Sequence, residues 1–262
     1  MKSLFVESVG LAAPGLPGWK SSVPVLSGAT PYVPQPLAPY QPLLLPPNER
    51  RRATQAIRLA FRCAEDAMSS TSVRAADLAA VFSSSDGDTE VMHRINHALA
   101  QPARTLSPTD FHNSVHNAAA GYWSIAVGAR LPSTSIAAHD ASFAAGLLEA
   151  AALTLSDELN TLLVVYDMPM PPPLAAKRAI EEPFGVALVL TPERTPQTRA
   201  VLQLAETQES ETVMADAALE RLRRSNPAAR ALPLLQRLAQ RIVGTVHLPA
   251  GGVTLSVTLS LS

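Results

Sequence analysis

PSTSIAAHDASFAAGLLEAAA, residues 132–152, joins a short strand to an Ala-rich helix through an elbow at His139 and Asp140. Ser133–Ala138 predicts the strand and Ala141 to about Ser156 the helix, whose alanines permit close packing on a sheet. Asp140, directly before ASFAAGLLEAA, reads as an N-cap that accepts from the backbone N–H of Ser142 or Phe143 and suits the helix dipole. No cysteine stands at this elbow, and Ser142 is the nearest hydroxyl.

Outward from the elbow, strands are expected at residues 3–12 (half-buried, alternating), 78–84, 160–167 and 184–190. Helices are expected between them. One opens at Asn48 and Glu49 and runs to Met68, with Ala53, Ala56, Ile57, Ala60, Phe61 and Ala64 on its inner face. Arg50, Arg51, Arg52, Arg58 and Arg62 then fall on its solvated faces. A second helix follows the turn Ser85-Asp86-Gly87-Asp88 to about Gln101, and a third spans Asp110–Val127 with an interruption near Gly121. Alternation of this kind predicts an α/β fold, a mostly parallel sheet flanked by helices. Residues 19–47, rich in proline, read as an extended or irregular surface loop. Ala217–Val243 reads as helical with a break at Asn226-Pro227. After Gly251-Gly252 a closing strand alternates apolar and hydroxyl residues, as an edge or one-side-exposed strand does. The expected organisation is a principal domain over 1–192 and a C-terminal helical segment and closing strand over 193–262, packed on it.

Composition excludes several function classes. The 262 residues carry a formal net charge of -1, dispersed along the chain, so neither nucleic acid nor an acidic membrane surface is an expected partner. A single cysteine, Cys63, excludes an intrachain disulfide framework and cysteine-based zinc clusters, and points to a reducing compartment, the cytoplasm. It lies on the flank of a helix and not at an elbow, so it is not expected to accept an acyl group. Glu7 interrupts any apolar core of a signal peptide, and no apolar run has the length of a spanning helix.

The order of elements, with LPPNERRRATQAIRLAFRCAEDAM, VFSSSDGD, FHNSVHNAAAGYWSIAVG, TSIAAHDASFAAGLLEA and LLVVYDMP, resembles the β-ketoacyl synthase-like N-terminal domain family over roughly residues 3–192. The resemblance implies a thiolase-like fold, essentially one half of a condensing enzyme. It also implies a dimer contact across the strand before the elbow, and kinship with chain-length-factor subunits of aryl polyene and polyketide-type systems. In such enzymes the elbow carries the acyl-accepting cysteine. Here, aligning on the strand puts Asp140 at that position, and aligning on AAGLL puts Phe143 there. The histidines that decarboxylate the malonyl unit belong to the other half of such enzymes. TVHLPAGGVTLSVTL, with His247, is too short a match to supply them.

These readings predict a non-catalytic or incomplete ketosynthase-like subunit. It assists a complete ketosynthase in fatty acid or polyketide chain elongation, as a heterodimer or paired with itself, with an acyl carrier protein as a further partner. A stand-alone binding module for acyl carrier protein or acyl thioesters is the alternative from another class. A thioester hydrolase or decarboxylase acting through Ser142 or Asp140 is the third. Pocket or interface candidates are His112, Asn113, His116, Asn117, Tyr122, Trp123, His139 and Phe143, with Tyr122 and Trp123 as core or interface anchors. The i, i+4 pairs His93/His97 and His112/His116 share a helical face but lack a third ligand and the inner glutamate of a zinc-protease helix, so no metal and no cofactor is expected. Ser83–Gly87 lacks the spacing and lysine of a phosphate loop and reads as a capped strand-to-helix turn.

Overall fold

The computed structural model describes residues 3–261. Its strands are β1 (Leu4–Ala12), β2 (Ala79–Ser83), β3 (Ser133–Ile136), β4 (Thr161–Asp167), β5 (Phe184–Thr191), β6 (Ala200–Thr207), β7 (Gly244–Pro249) and β8 (Thr254–Leu261). Helices are α1 (Trp19–Leu26), α2 (Pro47–Arg52), α3 (Gln55–Met68), α4 (Thr89–Ala100), α5 (Pro108–Asn113), α6 (Ala118–Val127), α7 (Ser142–Leu155), α8 (Ala217–Ser225) and α9 (Leu232–Gln240). All eight strands form one sheet in the order β3-β2-β4-β5-β1-β6-β8-β7.

The sheet is mixed rather than mostly parallel. β2 pairs in parallel with β3 and β4, and the remaining neighbours, from β4–β5 to β7–β8, are antiparallel. Parallel pairing requires a crossover connection. Helical crossovers lie between β2, β3 and β4, whereas β7 and β8 are joined by the Gly251-Gly252 turn. Both glycines have positive φ, 73° and 100°, as a tight hairpin turn demands. The closing strand β8 is consequently internal, with β7 at the edge, although its inward and outward residues do alternate.

β1 is buried along its length apart from Phe5, not half-buried, because β5 and β6 flank it and helices cover it. Its one acid is accommodated by a register shift between Val6 and Ser8. The shift turns Glu7 toward Thr71 and Ser72, whose hydroxyls and the Ser72 N–H donate to Oε1 at 2.9 Å. On one face of the sheet α3 and α6 enclose Phe61, Phe82, Trp123 and Leu162; on the other, α1, α7 and α9 enclose Leu11, Phe143, Leu147 and Val257. α7 lies against β2 and β4 at Gly146, where an added Cβ would come within 2.9 Å of Ser83 Cβ and 3.0 Å of Leu163 Cδ1.

Residues 19–47 are not a loop throughout: 19–26 form α1. Its N-terminus is satisfied by Asp66, whose Oδ2 accepts from Trp19 N at 2.6 Å and from Leu11 N at 2.9 Å. The helix expected to run from Asn48 to Met68 breaks at Ala53, and Thr54 caps α3 by accepting from Ile57 N. Three of the arginines assigned to solvated faces instead tie down the Pro-rich segment. Arg50 donates to the Leu43 and Leu45 carbonyls, Arg58 to those of Tyr40, Arg50 and Ala53, and Arg62 to those of Ala38 and Pro17. Glu65 completes the clasp, accepting from the Tyr40 hydroxyl and from the Leu43 and Leu44 N–H groups.

The interruption expected near Gly121 lies earlier, at Ser114–Asn117, where the Ser114 hydroxyl donates to the Phe111 carbonyl; Gly121 sits within α6. The last helix stops at Gln240, with Arg241 in a left-handed C-cap, and β7 follows.

Candidate functional site

The C-terminal ends of the parallel strands β2, β3 and β4 converge on the elbow, the position where open α/β sheets place their sites. His139 has φ 51°, an uncommon conformation for a residue with a side chain. It begins a single 3-10 turn, His139–Ala141, that leads into α7. Asp140 does not cap α7. Its carboxylate points away to Arg178, which donates from Nη2 at 2.8 Å, and the α7 N-cap position is Ala141, with no side-chain cap. The 3-10 turn moves the helix start past Asp140, and the nearby guanidinium offers the carboxylate a charged donor. Ser142 takes over the local bonding instead: its Oγ accepts from Ala138 N at 3.1 Å and donates to the His139 carbonyl at 2.7 Å. Buried and committed in this way, its hydroxyl hydrogen bonds to backbone, not to a histidine ring.

Arg178 comes from the segment after β4 and also donates from Nη1 to Asp86 in the β2–α4 turn. It therefore bridges Asp86 and Asp140 across the mouth of the elbow, with His139 Nδ1 3.5 Å from Asp140. Behind this bridge lies Asp167, at the end of β4 and fully enclosed. Its Oδ1 accepts from Ser84 Oγ, Ser85 N and Ser85 Oγ at 2.8–3.0 Å, while Oδ2 is buried with no hydrogen-bond partner among the described residues. Burial pushes the Asp167 carboxyl up to about 6, and the nearby Asp86 charge adds to the rise against the pull of the serine hydrogen bonds. Geometry agrees. Ser85 Oγ lies 2.6 Å from Asp86 Oδ2 and 2.8 Å from Asp167 Oδ1, yet a hydroxyl has one hydrogen. Both contacts are satisfied when Asp167 carries a proton on Oδ1 and donates it to Ser85 Oγ, which in turn donates to Asp86. The turn itself is the capped strand-to-helix junction expected, with Asp88 accepting from Val91 N at the start of α4.

The other candidates divide into braces and surface groups. Tyr122 donates to Asn113 Oδ1, Asn113 donates to the Arg52 carbonyl, and His112 meets the Tyr122 ring edge-on at 5.9 Å. Trp123, packed on Phe61 and Phe82, is core, and so is Phe143; with 0% exposure neither offers a partner any surface. His116 lies beyond the end of α5, so the expected shared helical face with His112 is absent; its Nε2 is 3.0 Å from the Ser84 carbonyl oxygen. Asn117 is exposed at the start of α6. His93 and His97 lie on α4, and His97 borders Gln101. Among the described residues no group of three or more His, Cys, Asp or Glu is placed to hold a metal. Cys63 is buried within α3, its thiol donating to the Leu59 and Ala60 carbonyls and pushed far up by burial. Asp167 and Arg178 went unread in the sequence; an aspartate closing an otherwise apolar strand, LLVVYD, was the available signal for the first.

The hairpin tip at Gly251 sits beside the elbow, 4.0 Å from Ala141 Cβ to the place its own Cβ would occupy. Within this frame the family is shown by direct comparison. The model of the β-ketoacyl synthase N-terminal domain matches residues 27–243, and the chain belongs to that family. Its fold is thiolase-like. Among solved structures it is similar to the ketosynthase ApeO in complex with its chain length factor ApeC from Xenorhabdus doucetiae, at 25% identity and TM-score 0.74, over 98% of this chain and 99% of the other. The ishigamide ketosynthase/chain length factor matches at 11% identity and TM-score 0.76, over 99% of both chains. The ketosynthase from module 1 of the bacillaene synthase of Bacillus amyloliquefaciens FZB42 matches at 13% and 0.58, over 81% of this chain and 47% of that one. A comparison with curated proteins returned no match. No helix of the described residues is long and apolar enough to cross a membrane.

Proposed function

We propose that this chain is a chain-length-factor-like subunit that carries no acyl group itself and pairs with a complete ketosynthase in cytoplasmic polyketide or aryl polyene-type chain elongation. The observation that carries the reading is the elbow: its strand, turn and buried helix are retained, but an Asp140–Arg178–Asp86 bridge stands where an acyl-accepting thiol is expected. β3, at the edge of the sheet, offers unpaired backbone groups to a partner strand. α6, which packs on β3, exposes Ile125 at 60%, Phe111 on α5 and Val115 in the connection to α6 are exposed at 67% and 54%, and Leu131 lies just before β3. Exposed apolar groups beside a free strand edge fit a protein interface. Residues 1–192 would then form the ketosynthase-like part and 193–262 its cover, with an acyl carrier protein meeting the assembled pair.

Co-expression with a complete ketosynthase tests this. A single co-eluting complex is expected, lost in the double variant Ile125→Glu/Leu131→Glu; separate gel-filtration peaks with unchanged ketosynthase activity would refute the pairing.

A further inference from the structure

A cleft of about 440 Å³ opens on the other side of the β4–β5 ends, between the Pro-rich segment and α3. Its walls are largely apolar: the rings of Pro34, Pro36 and Pro39 on one side, Leu59 and Met168 on the other. Gln55, Arg58 and Arg62 line it at successive turns of one face of α3. Neither guanidinium forms an ion pair with a carboxylate among the described residues. Their donors go to main-chain carbonyls, and Arg62 also lies over the Tyr40 ring at 5.6 Å. A guanidinium has five N–H donors, more than either arginine uses here. Two arginines with spare N–H donors thus line an apolar cleft of ligand size, Arg58 in the first turn of α3 at the positive end of its dipole; Asp66, the carboxylate whose charge acts on Arg62, accepts from Trp19 N and Leu11 N and is not among the lining residues. Glu182, the one carboxylate among the lining residues, is exposed, and its repulsion of an anion favours an orientation with the ligand's charge toward the arginines.

We propose that this cleft binds a small amphipathic anion, a carboxylate carrying an apolar chain, with the carboxylate on Arg58 and Arg62 and the chain between the prolines and Leu59. The site is separate from the elbow and does not depend on the pairing with a ketosynthase. Charge complementarity selects the anion, and the apolar walls select the chain.

Calorimetric titration of the full chain with octanoate, 1-octanol and acetate tests it. Octanoate is expected to bind one-to-one, at least tenfold more tightly than either octanol, which lacks the charge, or acetate, which lacks the chain. Arg62→Gln should weaken octanoate at least tenfold and leave octanol unchanged. Gln55→Trp, at an exposed lining position, should block both, and it keeps the test open if the arginine variant unfolds. Absence of octanoate binding at millimolar concentration, or binding that survives Gln55→Trp unchanged, would overturn the proposal.

Discussion

The elbow and the α3 clasp use the same residue types to opposite ends. In the clasp, Asp66, Glu65, Arg50, Arg58 and Arg62 direct most of their hydrogen bonds to backbone amides and carbonyls of distant segments, and so determine where the chain runs. At the elbow, Asp86, Asp140 and Arg178 bond to one another at the rim, and the backbone turn is held by Ser142 instead. Charge that satisfies buried backbone is structural; charge paired at a partly exposed rim can be changed without losing the fold.

The largest effect should come from the clasp. Asp66→Ala orphans the Leu11 and Trp19 N–H groups, and hydrogen bonds to charged groups contribute about 1.5–3 kcal/mol each. Urea unfolding should show a loss of about 3 kcal/mol, and a loss below about 1 would mean that α1 is anchored elsewhere.

Next comes the buried acid behind the elbow. A carboxyl raised to about 6 in the folded protein holds its proton more tightly than in the unfolded chain. Its favourable contribution is therefore complete below about pH 4 and is lost as pH rises through 6, by up to about 3 kcal/mol. Asp167→Asn removes this dependence. The variant should gain on the wild type by about that amount between pH 4 and 7, measured as the difference in unfolding free energy; a pH-independent difference would show that Asp167 ionises normally.

Gly146→Ala should cost about 1–3 kcal/mol by overpacking α7 against Ser83 and Leu163. Asp140→Ala, which removes only an exposed ion pair, should cost about 1 kcal/mol or less by thermal unfolding. A loss near that of Asp66→Ala would erase the distinction between the two regions.

These contrasts also show what was legible in the sequence. The strands at 79–83, 161–167 and 184–191 and the helix α7 announced themselves as apolar runs and an Ala-rich stretch, because their burial is written in their own residues. Strand direction was not: periodicity is the same for parallel and antiparallel pairing, so the mixed sheet emerged only from the connections. α1 was hidden since the acceptor that satisfies its N-terminus lies 47 residues away, on Asp66. The elbow was recognisable as a frame lacking a thiol, but Asp140 as a cap followed from local sequence alone, and Arg178, 38 residues on, supplied the better partner. β6 and β7 went unread; β6 is exposed at several positions along its length and has its partner β8 almost fifty residues later.

Under the proposed function, this chain keeps the elbow frame and carries no acyl group at any stage of turnover. Intact-mass spectrometry of both subunits of the co-purified complex, sampled during turnover with an acylated carrier protein, measures this directly. The acyl adduct should appear on the complete ketosynthase alone, with this chain at its unmodified mass. An acyl adduct on this chain, at Ser142 or Cys63, would show instead that it accepts the acyl group.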